Sequence, residues 1–261
     1  IRKGVKDIFL LPGGGCIYLV DSIGKNKDID YVCNLHEQGS AIAAESYAQY
    51  TRNIGVVVCT TGPGGINAML GVASAWLDSV PLMVISGQVQ LKDMVKNSGL
   101  RQKGFQELNL PKIVNSITKY AATVTNAREI VECMNTAFTA ATSGRQGPVW
   151  IEIPLDVQNS EIPFVEEGRI EERKENNKSF SEEIIQDFNN SLRPVLLIGN
   201  GARDCKNLNK LIELLQIPVL TTWRAADLIE EKHPLYIGRP GLIGQRAANL
   251  IQQKSDFILC L

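Results

Sequence analysis

The sequence predicts an α/β chain: a doubly wound parallel sheet with helices on both faces, followed by a partial second α/β domain. Three observations predict it. Short apolar runs rich in Val, Ile and Leu recur along the chain. Each of the first ones ends at a glycine-rich turn, and longer amphipathic stretches lie between them, the pattern of strands buried on both faces. The rhythm breaks in a charged stretch between residues 161 and 180 and then restarts.

Taken in order, Val5–Leu11 reads as the first strand and ends at Pro12-Gly13-Gly14-Gly15. Tyr31–Asn34 is the second, followed by a helix from about Glu37 to Arg52. Ile54–Thr60 is the third, ending at Gly62-Pro63-Gly64-Gly65, and a helix of small residues then runs to about Leu77. Pro81–Ser86 is the fourth, ending at Gly87. A mostly helical region covers Phe105–Ser116 and Ala127–Ser143, and Pro148–Ile153 closes the set as a fifth strand. Residues 1–160 form the first domain on this reading. Residues 161–180 form a linker, because Glu166–Lys178 is charged, mixed in sign and poor in apolar residues. Residues 181–261 begin a second domain, with strands at Pro194–Ile198, Pro218–Thr221 and Phe257–Leu261 and helices at Asn207–Leu215 and Arg246–Gln253. The chain starts without Met and stops inside a strand pattern, so it is expected to be part of something longer.

Composition narrows the function. The 27 Lys and Arg against 28 Asp and Glu leave a net charge of −1, which argues against a nucleic-acid partner. Hydrophobic residues at 44% and charged residues at 21% are those of an ordinary globular chain, not a disordered one. No apolar run reaches the roughly 18–20 residues of a membrane helix. The six cysteines are scattered with no C-x-x-C, and there are two histidines. A disulfide scaffold or zinc site is therefore not expected, no residue here is assigned to a metal, and a reduced cytoplasmic protein is the simplest expectation.

In open parallel sheets ligands collect at the carboxyl ends of the strands, where the turns Pro12–Gly15, Gly62–Gly65 and Gly199–Gly201 lie. Taken singly, each is accounted for as a tight strand-to-helix turn. None fits G-x-G-x-x-G with a following acidic residue, nor G-x-x-x-x-G-K-[ST]. Leu35-His36-Glu37-Gln38-Gly39 is more informative, because Glu37 opens a helix directly after a strand. A carboxylate there is favourably placed at the positive end of the helix dipole, which by itself explains it. The small residues that follow, Gly39, Ser40, Ala41, Ala43 and Ala44, allow a neighbouring element to pack closely.

In combination these pieces resemble a known family. His36-Glu37-Gln38-Gly39-Ser40-Ala41 with Ala44-Glu45-Ser46-Tyr47-Ala48 is similar to the H-E-Q…A-x-x-Y-A element of thiamine-diphosphate-dependent enzymes. Thr61-Gly62-Pro63-Gly64 with Asn67, and Asp78-Ser79-Val80-Pro81 through Ser86-Gly87-Gln88-Val89, resemble their next two motifs. Phe105-Gln106-Glu107, Thr118-Lys119 and Ser143-Gly144-Arg145-Gln146-Gly147-Pro148-Val149 follow in family order. The nearest branch is that of the acetolactate (acetohydroxyacid) synthases. The resemblance covers nearly the whole chain, as a pyrimidine-binding domain followed by the start of a central domain.

That resemblance implies thiamine diphosphate as cofactor and decarboxylation of a 2-keto acid such as pyruvate with carboligation, the transferase/lyase chemistry of branched-chain amino acid biosynthesis. Glu37 matches the buried carboxyl that shares a proton with N1′ of the cofactor's pyrimidine; Gln106 matches a second residue at the reacting centre. Gly13 and Gly14 match the turn near that centre, and Gly62, Pro63 and Asn67 the turn that approaches the pyrimidine. Phe105 lines the site in the family. Ser79 and Lys119 are weaker matches, to the cofactor surroundings and the substrate channel, and Arg145 matches an arginine on FAD in synthases that carry it. Mg²⁺ and the diphosphate are held in the family by a separate domain bearing G-D-G…N, and no Gly-Asp-Gly occurs here. The family's site is completed across a homodimer or homotetramer. Two stretches depart from the pattern. Gln90–Gly104 is longer than the synthase loop, and Thr222–Asp227 with Gly238–Gly241 differ near the flavin. FAD and the acceptor thus stay open, and the alternatives are a flavin- or nucleotide-binding module, a catalytically inert structural relative, or a lyase for another 2-keto acid or a sugar-derived substrate.

Overall fold

A computed structural model describes residues 1, 3–96, 98–162 and 181–261. The charged run Glu166–Lys178, and with it most of the expected linker, lies outside the described residues. The described residues fall into two compact units.

The first unit is a six-stranded sheet: β1 (Asp7–Leu10), β2 (Asp30–Cys33), β3 (Gly55–Cys59), β4 (Leu82–Gln88), β5 (Tyr120–Thr123) and β6 (Val149–Pro154). All neighbouring pairs are parallel, in the order β2-β1-β3-β4-β6-β5. Helices α1 (Ile17–Lys25), α2 (Glu37–Thr51), α3 (Pro63–Asp78), α4 (Leu110–Val114), α5 (Ile130–Thr142) and α6 (Leu155–Gln158) surround it. The alternation of side chains in β3 shows why both faces must be covered. Val56 and Val58 join a core with Leu10, Ala137 and Ile151, backed by Leu19 and Ile23 of α1. Val57 and Cys59 join another with Ala44 of α2, Val72 of α3 and Trp150. So α1 and α5 cover one face and α2 and α3 the other, the doubly wound arrangement the apolar runs predicted.

The strand order reverses between β1 and β3: the chain leaves β1 to one side for β2 and returns past it to β3. At such a switch point the connections diverge to opposite faces and leave a crevice at the carboxyl ends of the strands.

Several expectations are corrected. The sheet has six strands, not five; β5 lies between the two expected helices, and α1 was not foreseen. Residues 105–109 are not helical, and helix α4 begins only at Leu110. Pro111 in its first turn has no N–H to bond the carbonyl four residues back, and Asn109 Oδ1 accepts from Lys112 N at 3.0 Å as the cap. Strand β4 runs on through Gly87 to Gln88.

The second unit is a four-stranded parallel sheet in the order β10-β7-β8-β9. It comprises α7 (Glu182–Asn190), β7 (Pro194–Ile198), α8 (Leu208–Leu215), β8 (Val219–Thr221), β9 (Tyr236–Gly238), α9 (Arg246–Lys254) and β10 (Phe257–Cys260). Helix α7 and strand β9 were not among the expected elements. Leu196 and Ile198 face one core with Ile212 of α8, and Val195 and Leu220 face the other with Ala248 of α9.

Candidate active site

The crevice of the first unit is bounded by the turns after β1, β2 and β3. Its residues interlock through contacts that exclude side chains. A Cβ on Gly13 would lie 2.5 Å from Thr60 Cβ, and one on Gly64 would lie 2.6 Å from Thr60 Cγ2. Thr60 Oγ1 accepts the Gly15 N–H at 3.0 Å, which ties the first turn to the third. Gly14 has open space where its Cβ would be, so this corner presents bare backbone.

Glu37 enters from α2. His36 caps that helix, its Nδ1 accepting from the Gln38 N–H at 3.2 Å. Glu37 is the first helical residue and only 7% exposed, a rare burial for a carboxylate that forms no salt bridge among the described residues. Asn67 Nδ2, one turn into α3, donates to its Oε2 at 3.0 Å. Its Oε1 lies 2.8 Å from the place a Cβ on Gly64 would take. The carboxyl is thus held from one side by an amide and faces a glycine on the other. Burial pushes the thiols of Cys16 and Cys59 up, so both stay protonated beside Glu37.

Gln106 closes the third side. Its backbone is left-handed at φ 59°, and a Cβ on Gly62 would lie 1.9 Å from its carbonyl oxygen. Gly62 itself has φ 56°, so glycine is required there twice, by conformation and by space. Pro63 follows in the first turn of α3, and Phe105 is 81% exposed.

The structure therefore brings together Gly13, Gly14, Glu37, Gly62, Pro63, Asn67 and Gln106, with Phe105 beside them. It places Ser79 and Arg145 elsewhere. Arg145 Nε donates to Ser79 Oγ at 2.7 Å, and the two precede β4 and β6, at the amino edge of the sheet. Lys119, just before β5, lies at that edge too, its Nζ donating to the Ser143 carbonyl at 2.6 Å. Described residues of the loop 90–104 line an open cavity of about 380 Å³, among them Leu91, Met94, Val95, Leu100, Lys92 and Lys103.

Sequence reasoning missed Thr60, Gln88 and Glu152. Thr60 carried no signal beyond its place before the turn. Glu152 did, as the one charged residue inside the apolar run Val149–Pro154, every position of which is buried. Among the described residues no three His, Cys, Asp or Glu side chains come together as a metal site, and no helix is long and apolar enough to cross a membrane.

An open parallel sheet whose switch point presents bare glycine backbone beside a buried carboxyl is a cofactor-binding α/β domain. The comparisons specify it. Residues 1–113 match the family described as thiamine pyrophosphate enzyme, N-terminal TPP binding domain, and residues 181–261 match thiamine pyrophosphate enzyme, central domain. The chain belongs to the thiamine pyrophosphate enzymes. It is similar to the acetolactate synthase isozyme 1 large subunit of Escherichia coli (strain K12), 34% identical over 265 residues that cover 100% of this chain and 46% of that one. It is also 34% identical to the acetolactate synthase large subunit of Lactococcus lactis subsp. lactis (strain IL1403), over 99% of this chain and 45% of the relative. For the chloroplastic acetolactate synthase 2 of Nicotiana tabacum the identity is 33%, over 99% and 39%. The chain spans less than half the length of these relatives.

Proposed function

We propose that this chain is the pyrimidine-binding part, with the start of the central part, of a thiamine-diphosphate-dependent enzyme that decarboxylates a 2-keto acid such as pyruvate and joins the product to a second carbonyl. The single observation that carries the proposal is the Glu37 carboxyl, buried at the switch point between Asn67 and the glycine corner. Residues 1–160 would be the pyrimidine-binding domain and 181–261 the start of the central one.

When bound, thiamine diphosphate supplies the electron sink for breaking a carbon–carbon bond next to a carbonyl. The bare backbone at Gly13, Gly14 and Gly62 and the buried carboxyl suit the flat, hydrogen-bonding edge of its pyrimidine. Glu37 would hold a proton at the ring's N1′, and Asn67 would keep that carboxyl aimed. Gln106 and Phe105 would border the substrate. Mg²⁺ and the diphosphate would be held by a part of the protein outside these 261 residues, in a homodimer or homotetramer. FAD would lie against the second unit, where Trp223 is 63% exposed and the Arg239 guanidinium sits 5.9 Å from its ring centre. Ser79 and Arg145, at the sheet's other edge, would meet cofactor only from that side.

A second reading, action on a different 2-keto acid or a sugar-derived substrate, draws on the cavity in the Gln90–Gly104 loop, whose lysines suit an anionic acceptor.

The test is Glu37→Gln in the whole protein, loaded with thiamine diphosphate and Mg²⁺. Exchange of the cofactor's C2 proton for deuterium should fall by nearly all of its wild-type rate. Exchange retained at the wild-type rate would remove Glu37 from the mechanism.

A further inference from the structure

A row of polar side chains, three buried and the last half-buried, crosses the carboxyl ends of four strands. Thr61, just past β3, donates from Oγ1 to Gln88 Oε1 at 2.7 Å. Gln88 ends β4, and its Nε2 donates to Glu152 Oε1 at 3.0 Å. Glu152, in β6, has its other oxygen 2.8 Å from Thr123 Oγ1 at the end of β5. Gln88 and Glu152 have no exposed surface at all.

Gln88 is saturated. Its Oε1 accepts from Thr61 and from the Val89 N–H at 2.9 Å, and its Nε2 donates to Glu152 and to the Leu108 carbonyl at 2.8 Å. The backbone partners fix which way the amide points, since a carbonyl only accepts and an N–H only donates. A buried carboxyl with no cation beside it among the described residues is a poor way to fill a core, because an apolar side chain of similar volume would avoid the desolvation. What the row reaches accounts for its presence. Leu108 belongs to the irregular segment 105–109, which carries exposed Phe105 and left-handed Gln106 over Gly62. From the other side, the Glu107 carboxylate accepts from the backbone N–H groups of Val95, Lys103 and Gly104.

We propose that Glu152, acting through Gln88, is a positioning residue that fixes the Phe105–Gln106 segment over the Gly62 turn. The role rests on the proposed function for its catalytic consequence, but not for its structural one. The Thr123 hydroxyl donates to Glu152 Oε2 while Oε1 accepts from Gln88, and burial pushes the carboxyl up to about 7 against the pull of those two bonds. The isosteric amide of Glu152→Gln keeps the oxygen that accepts from Gln88, and its NH2 pairs with the Thr123 hydroxyl once that hydroxyl turns to accept; Glu152→Ala offers neither, and Gln88→Met keeps volume without the hydrogen bonds.

The experiment compares these three variants with wild type in the whole protein. Hydrogen exchange, read without cofactor, should show the peptide 105–110 protected in wild type. Its exchange should speed up about tenfold or more in Glu152→Ala and Gln88→Met, while the α2 and β3 peptides stay unchanged. Thiamine-diphosphate-dependent turnover of pyruvate should lose about ten- to a hundredfold in kcat with little change in KM, the scale of a misplaced group at a reacting centre. Glu152→Gln should restore both readouts. A segment unprotected in wild type, a segment unmoved in the variants, unchanged kcat with a loosened segment, or no rescue by Glu152→Gln would each overturn the proposal. Should Glu152→Ala and Gln88→Met not fold, wild-type protection and Glu152→Gln decide it. A wild type with no such turnover would defeat the functional reading alone, since the exchange data still judge the strut.

Discussion

Glu152→Gln has a second consequence, for stability, whose size follows from the same burial. The folded carboxyl titrates at about 7 against an ordinary value of 4.5, chiefly because burial strips its hydration; the bonds to Thr123 and Gln88 pull the other way. Below 4.5 both folded and unfolded chains hold the proton, so the group is neutral to stability. Between 4.5 and about 7 the unfolded chain releases it and the folded chain does not, so rising pH favours unfolding. At about 1.4 kcal/mol per unit, a gap of that width amounts to about 3 kcal/mol, fully developed once the pH passes 7. The amide that Glu152→Gln introduces carries no such linkage while it keeps both hydrogen bonds. The two proteins should therefore be about equally stable near pH 4.5, and the variant the more stable by about 3 kcal/mol near pH 8. Urea unfolding of both across that range checks it, because the difference between the two curves cancels the titration of every other group. A difference that stays flat with pH would refute the reasoning, and one that shrinks with pH would reverse its sign.

Two further outcomes follow from the crevice. Gly62→Ala forces a β-carbon into a left-handed backbone and within 1.9 Å of the Gln106 carbonyl, so it should cost about 2 kcal/mol or more and loosen peptide 105–110. Calorimetry and hydrogen exchange read both effects; an unchanged Tm would contradict it. Thr60→Val keeps the shape but leaves the Gly15 N–H without its acceptor, a loss of about 1–3 kcal/mol that a shift in urea midpoint would register.

Much of this architecture was legible in the residues, for local reasons. Strand β3 announces itself because all five of its residues are buried and apolar or small. The start of α2 is marked by the first-turn acid Glu37 directly after a strand. Helix α1, with Leu19, Val20 and Ile23 on its buried side, carried the same kind of signal. Strand β5 did not: Tyr120–Thr123 is short, half-buried throughout and, among the described residues, paired with β6 alone at the sheet's edge. Strand order was illegible altogether, because the position of β1 between β2 and β3 is a matter of non-local pairing. Of the site, the residues by themselves showed only glycine turns and an acid that opens a helix; that these belong to a site, with Asn67, Gln106 and Phe105, came from the family resemblance. The polar row Thr61–Gln88–Glu152–Thr123 was not, because its members are 27, 64 and 29 residues apart and meet only when the strands line up. The pairing of Arg145 with Ser79, 66 residues away and at the opposite edge from Glu37, was hidden for the same reason.

The packing of α2 and its place in the site have one cause. Ala41 and Ala44 are fully buried in it, and the neighbours they meet are glycines. A Cβ on Gly71 of α3 would lie 2.6 Å from the Ala41 Cβ, and one on Gly55 of β3 would lie 2.1 Å from the Ala44 carbonyl. Larger residues at either place would push α2 away from α3 and from the sheet. Asn67 and Gly64 sit in the first two turns of α3, and Glu37 in the first turn of α2. Separation of the two helices would therefore open the 3.0 Å contact between Asn67 and Glu37 before it disturbed the core of either. Small residues that read as mere packing are thus what bring an acid within reach of its amide, and close helix contact is the condition for a buried carboxyl to be aimed at all.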